Sequence, residues 1–139
     1  MFKVMPFDPA HLDCMDMRGH EQDLCDRQSM KEIASHSVCK TAMYEGRVIC
    51  CWGHRDTGHG TAEVWLIPSV YLSEMPLSFF KGVKKHLDEI MAGFNRMQTH
   101  CLDDELHNRW MSFIGFHKEC VLKRFWNGAD LVLWGKYGN

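Results

Sequence analysis

Apolar and polar positions alternate with a period of two along two neighbouring stretches, Val38 to Tyr44 and Val48 to His54. Glu45-Gly46 between them is suited to a tight turn, so the pair predicts an antiparallel hairpin. Upstream, Phe2 to Phe7 predicts a short strand stopped by Pro6 and Pro9, and Asp8 or Asp13 can cap helical turns running to about Arg18. Glu21 to Ala34 predicts a second helical stretch without a clean apolar stripe. Downstream, the polar segment Arg55 to Thr61 predicts a loop ending at Ala62, and Glu63 to Ile67 a third strand of the sheet region.

Pro68 ends that strand, Ser69 to Met75 forms a connection, and Pro76 is placed to open a helix. In it Phe80, Val83, Leu87, Ile90, Met91 and Phe94 recur at three and four residues, with Lys81, Lys84, Lys85, Asp88 and Glu89 on the other side. Met97 to Leu102 then predicts a strand. Asp103 to Phe116, DDELHNRWMSFIGF, predicts a short helix with Leu106, Trp110, Phe113 and Ile114 on its apolar face and Gly115 as a left-handed stop. An alternating strand, GFHKECVLKRF, follows at once, then a turn at Asn127-Gly128 and a last strand from Asp130 to Lys136. Helices interleaved with strands predict a single α+β or mixed α/β domain with a sheet of six or seven strands and about four helices.

Composition changes this picture little. The 139 residues are 45% hydrophobic and 24% charged, enough for one core, and the formal net charge of -2 gives no basic field of the kind that draws a protein to nucleic acid. No run of apolar residues reaches membrane-spanning length, and the start of the chain lacks the pattern of an export signal, so the expectation is a cytoplasmic protein. The seven cysteines form no Cys-x-x-Cys pair, which predicts reduced thiols. No metal centre is predicted: Cys50 and Cys51 face opposite sides of a strand, and His54, Asp56 and His59 lie at a turn. Trp52, Trp65, Trp110, Trp126 and Trp134 fall within strand or helix patterns, so a core role is expected for them.

The unit of helix, Gly115-Phe116 and long strand resembles the closing part of the GNAT N-acetyltransferase fold. Where that family commonly has Asn, Ala, Tyr and Gly-Phe, this chain has Asp104, His107, Met111 and Gly115-Phe116. The His107-x-Arg109 spacing is similar to that of small GNAT-like phage proteins, some of them internal virion proteins. The order of elements fits the same fold. The resemblance implies that strands Glu63 to Ile67 and Met97 to Leu102 splay to admit the pantetheine arm of acetyl-CoA, with its pyrophosphate on amides of the loop before the central helix. Such a helix start offers free N–H groups and the positive end of a dipole.

On that footing the donor site would draw on Leu66, Ile67, Ser73, Lys81, Asp104 and Arg109. Glu63 would act as the base toward the amine, and Tyr71 or His107 would replace the thiolate-protonating tyrosine that Met111 cannot supply, with Cys101 a further candidate. The loop departs from the family's Arg-Gly-x-Gly run, holding Tyr71, Leu72, Ser73 and Glu74. His107 and Arg109 diverge by about 200° on a helix, which places one inward and the other in solvent, where Arg109 can pair with Glu105. Two functions follow: an acyl-CoA-dependent N-acyltransferase with an unknown amine acceptor, or a non-catalytic phage protein keeping the fold for virion, assembly or host-interaction purposes. The oligomeric state, a homo-oligomer included, stays open.

Overall fold

The computed structural model describes residues 2–17 and 27–138. The helical turns expected between Glu21 and Asp26, the end of the first predicted helix at Arg18, and Cys25 lie outside the described residues. The elements in chain order are β1 (Phe2–Pro6), α1 (Ala10–Cys14), α2 (Arg27–Ser35), β2 (Val38–Tyr44), β3 (Arg47–Gly58), β4 (Thr61–Pro68), α3 (Leu77–Met91), β5 (Arg96–Leu102), α4 (Glu105–Phe113), β6 (His117–Trp126) and β7 (Ala129–Tyr137). A 3-10 turn, Leu72–Glu74, lies between β4 and α3. The seven strands form one sheet in the order β1-β2-β3-β4-β5-β7-β6, antiparallel at the pairs β1–β2, β2–β3, β5–β7 and β6–β7 and parallel between β4 and β5.

The hairpin turns have one chemistry. Glu45-Gly46, His59-Gly60 and Asn127-Gly128 all take positive φ at both central residues, the backbone that matches the twist of the flanking strands. The turn at His59-Gly60 corrects the expected loop from Arg55 to Thr61: β3 runs on to Gly58 and β4 starts at Thr61. Arg55 to Gly58 are exposed, so hydrogen bonding without burial holds this extension, and a hydrophobic pattern does not register it.

Two compact units divide the chain, Met1–Arg55 with Trp65–Met75, and Asp56–Val64 with Pro76–Asn139. In the first, Leu12, Met15, Met17, Met30, Val48, Cys51 and Ile67 form a core, with Phe7, Met43 and Trp65 packed at its side. α1 and α2 thus cover one sheet face there, and the side chain of Arg27 ties them together by donating to the carbonyls of Leu12 and Met15 at 2.9 Å each.

In the second unit α3 and α4 lie on the sheet face formed by Ala62, Val64, Met97, Val132 and Trp134, meeting it with Leu87, Met91 and Ile114. The apolar stripe of α3 meets the core as expected through Val83, Leu87, Ile90 and Met91, with Phe94 just beyond the helix, and differs at its start. Phe79, Leu87 and Met91 are its buried residues, while Phe80 is half-buried and stacks on Trp110 of α4. Lys136 of β7 is buried on this same face; its ammonium meets Asp88 Oδ1 of α3 at 2.8 Å and donates to the carbonyl of Ile114 at 3.2 Å. Gly115 (φ +98) ends α4 as expected, and a Cβ there would lie 2.5 Å from the Lys136 ammonium.

β6 departs from the expected half-buried strand. It lies at the sheet edge, is exposed along nearly its whole length and carries two register breaks, with Arg124 at positive φ. Trp126 is accordingly exposed, unlike the buried Trp52 and Trp134.

Candidate functional site

The first turn of α4 is built around one carboxylate. Asp104 is the N-cap, its Oδ1 accepting from the His107 backbone N–H at 2.8 Å, which satisfies one of the unpaired donors of the helix start. The same carboxylate holds the His107 side chain, with Nδ1 at 2.9 Å from Oδ1 and 2.8 Å from Oδ2. His107 is 8% exposed and its ring meets Trp110 edge-on. It replaces the expected Leu106 as the inward residue of this turn, for Leu106 is only half-buried. Nδ1 is committed to Asp104, so Nε2 is the atom through which His107 can hand over a proton. Arg109 points outward as expected, but makes no ion pair with Glu105 among the described residues.

Glu63 occupies the opposite sheet face. Its chain neighbours Ala62 and Val64 are buried under α3 and α4, so the alternation of β4 turns Glu63 away from them. The parallel register places Thr61 beside Arg96, Ala62 beside Met97 and Glu63 beside Gln98, and puts Glu63 and Gln98 on the same face. His100, two residues farther along β5, shares that face. There it lies opposite Leu133 of β7, which in turn lies opposite Cys120 of β6. Among the described residues, the helices of this unit pack on the other face. Arg96 crosses it to form a bidentate pair with Glu119 and donates from Nε to Gln98 Oε1 at 3.1 Å. Gly135 makes the crossing feasible, because a Cβ there would stand 2.6 Å from Glu119 and 2.9 Å from Arg96.

Phe125 folds back from the irregular end of β6 and stacks on the His100 ring, with centroids 4.7 Å apart. Burial lowers the His100 pKa, and the nearby Glu63 charge opposes this more weakly. Sequence reasoning missed this pair. The alternation of β5 puts His100 on the face of Glu63, but only the distortion of β6 brings Phe125 over it. Cys101, on the helix side, has its thiol pushed up to about 12 by burial and is a poor nucleophile. Met111 packs against the core.

In the first unit, Ile67 is buried in the core and Leu66 is half-buried. The Tyr71 hydroxyl donates to Asp16 Oδ2 at 2.7 Å, and this bond to an anion raises the phenol's pKa; Arg47 lies over its ring at 4.7 Å. The Tyr71 proton is thereby engaged within this unit. The connection from Ser69 to Met75 spends most of its amides internally. Ser69 N–H donates to Ile49 O, Val70 to Asp16 O, Tyr71 to the Ser69 hydroxyl, Leu72 to Ser69 O, Glu74 to Tyr71 O and Met75 to Leu72 O. Only the Ser73 N–H has no acceptor among the described residues, and Ser73 and Glu74 are exposed. Lys81 lies in the other unit, exposed on α3, whose start has no side-chain cap.

No helix among the described residues is long and apolar enough to cross a membrane. No family model matches the sequence, and no curated protein does either. Solved structures do match over the whole fold. The ribosomal-protein-S5-alanine acetyltransferase of Vibrio fischeri is 12% identical with a TM-score of 0.71, over 99% of this chain and 93% of that one. A GNAT-family acetyltransferase of Streptococcus pneumoniae is 13% identical with a TM-score of 0.71, over 100% of both chains. A GNAT-family acetyltransferase of Elizabethkingia anophelis, solved with acetyl-CoA bound, is 14% identical with a TM-score of 0.71, over 99% of this chain and 98% of that one. With a mixed, mostly antiparallel seven-stranded sheet and four helices among its described residues, this chain has the fold of the GNAT acetyltransferases.

Proposed function

We propose that this protein is an acyl-CoA-dependent N-acyltransferase in which His107, held by Asp104, is the acid for the leaving thiolate and Glu63 is a base for the amine. The observation that carries the reading is the carboxylate–imidazole pair at the start of α4, with Nδ1 at 2.8 Å from Asp104 Oδ2. It lies on the same helix, four residues before Met111, the position that the resemblance gives to the thiolate-protonating tyrosine and that here has no proton to give. Acetyl-CoA supplies an activated acyl thioester when bound. Asp104 fixes the ring orientation and stabilises the imidazolium, which gives its Nε2 proton to sulfur. Glu63, half-buried and without a hydrogen bond or ion pair among the described residues, accepts a proton on the other sheet face. Acid and base therefore serve opposite faces, which suits a reaction whose donor and acceptor approach from opposite sides.

The residues suit the reactive end of such a donor better than its diphosphate. Within the first unit the Ser73 amide and hydroxyl are the groups suited to phosphate, and Leu66 and Ile67 would supply strand backbone to the pantetheine; within the second, taken by itself, the uncapped start of α3 and the Lys81 ammonium are the groups suited to phosphate. The spent amides of the loop favour a second reading, a non-catalytic protein that keeps the fold for assembly or host interaction, as the likeness to small phage proteins suggests. Calorimetric titration with acetyl-CoA separates the two. Binding in the micromolar to millimolar range, with turnover lost and affinity kept in His107→Gln, supports the transferase; no binding at millimolar ligand overturns it.

A further inference from the structure

An alkylammonium must lose two protons to become an amide, and the proposed Glu63 accounts for one. The open face of the second unit holds another proton acceptor beside it. His100 is half-buried and stacked on Phe125, and neither ring nitrogen has a hydrogen-bond partner among the described residues. Glu63 is likewise unpaired there. Two titratable groups on one sheet face, each half-buried and neither engaged in a hydrogen bond with the described residues, are available to a ligand that reaches that face.

We infer that His100 is a catalytic proton acceptor for the amine, acting with Glu63 on the open sheet face, and that Phe125 is the positioning residue that holds its ring. The inference rests on the transferase reading. His100 takes the first proton from the ammonium, freeing its lone pair. The nitrogen forms a C–N bond to the acyl carbon and gives its second proton to Glu63. The C–S bond breaks with its electron pair going to sulfur, which takes the proton of His107. His100 and Glu63 release their protons to water and His107 regains one, so one proton is released per turnover.

The His100 environment favours this role. The titratable and charged groups on this face are Glu63 from β4, Arg96 on its own strand neutralised by Glu119 of β6, His117 and Cys120 of β6 and Tyr137 of β7, while β7 brings Leu133 to its register position. Burial outweighs the Glu63 charge and keeps the imidazole neutral near neutral pH, the form able to accept a proton.

The experiment is CoA release from acetyl-CoA with three amine probes, an arylalkylamine, a polyamine and a short peptide with a free N-terminus, alongside calorimetry with acetyl-CoA. His100→Gln should keep acetyl-CoA affinity and lower kcat by about 100-fold, as loss of a general base does. Phe125→Leu should lower the plateau kcat, by less than His100→Gln does, and move the low-pH limb of kcat upward, since the imidazole is held less firmly and becomes more hydrated. A His100→Gln variant within about twofold of the parent, with an unchanged pH profile, overturns the inference. So does a protein that binds acetyl-CoA but releases CoA with none of the amines. Absence of acetyl-CoA binding instead fells the transferase reading itself, and this inference with it.

Discussion

Replacing Lys136 by methionine tests how the two helices of the second unit are fastened to the sheet. The ammonium joins β7 to α3 through Asp88 at 2.8 Å and to the end of α4 through the Ile114 carbonyl at 3.2 Å. Methionine keeps the length and apolar packing of the stem and removes both bonds. Hydrogen bonds to charged groups contribute about 1.5 to 3 kcal/mol in such settings. The Asp88 side chain is 48% exposed and also meets Lys84 at 3.3 Å, so solvent and a second cation discount its share. The expected loss is therefore near the lower end, about 1.5 to 2 kcal/mol, or roughly 4 to 8 °C in Tm for a chain of this size.

The pH dependence adds a sign. The Lys136 hydrogen bond, more than any other cause, holds the Asp88 carboxyl below its ordinary value of 3.8. The stabilisation is then fully present above 3.8 and fades as pH falls through the lower folded-state value. Urea unfolding followed by circular dichroism at pH 7 and at several acidic pH values measures both effects. A Lys136→Met midpoint equal to the parent's at pH 7, or a difference between the two that persists undiminished at the most acidic pH, would refute the reasoning.

Leu87→Ala, at a residue 3% exposed in the second core, should cost about 2 to 5 kcal/mol in the same unfolding assay, and a change under about 1 kcal/mol would mean α3 does not pack as described. Residue-resolved mass spectrometry after a thiol reagent should find Cys14 and Cys120 modified first, because they are exposed. Cys39 and Cys51, pushed up to about 11 by burial, should react slowly, as should Cys101 and the fully buried Cys50; rapid labelling of Cys50 in folded protein would contradict this. Glu74→Gln removes an exposed negative charge beside the Ser73 amide and should tighten acetyl-CoA binding by up to about 1 kcal/mol, more at low salt. Equal affinities at low and high salt would detach the loop from the phosphates.

Patterns that bury one side of an element were legible in the sequence. The β2–β3 hairpin, the long helix before β5 and the Gly115 stop all stand where periodicity and turn chemistry put them. His107 and Arg109 diverge as the helix geometry requires. What escaped is whatever depends on a partner distant in sequence. Lys136 reads as a surface residue because its carboxylate lies 48 positions away on another element. The Arg55 to Gly58 extension is held by hydrogen bonds, and β6 alternates like a half-buried strand although it is exposed along nearly its whole length. The Asp104–His107 couple was within reach, since an N-cap carboxylate and a histidine three residues on share the first turn. The Phe125 stack on His100 was not, because it follows from a strand distortion that no local pattern encodes.

That distortion also bears on how the molecule behaves in a crowded solution. A sheet with ends exposes unpaired backbone groups that can template a strand from another chain, the first step toward aggregation. The edge at β1 is five residues long and closes at Pro6, which has no N–H to offer. The edge at β6 is ten residues long and carries Val121, Phe125 and Trp126 in the open, a composition that invites pairing. Its two register breaks and the left-handed Arg124 prevent it from presenting a straight ladder, while Lys118 and Lys123 place charge along it. The irregularity that lays an aromatic ring over His100 thus also protects the longest exposed edge of the protein from self-association by strand addition.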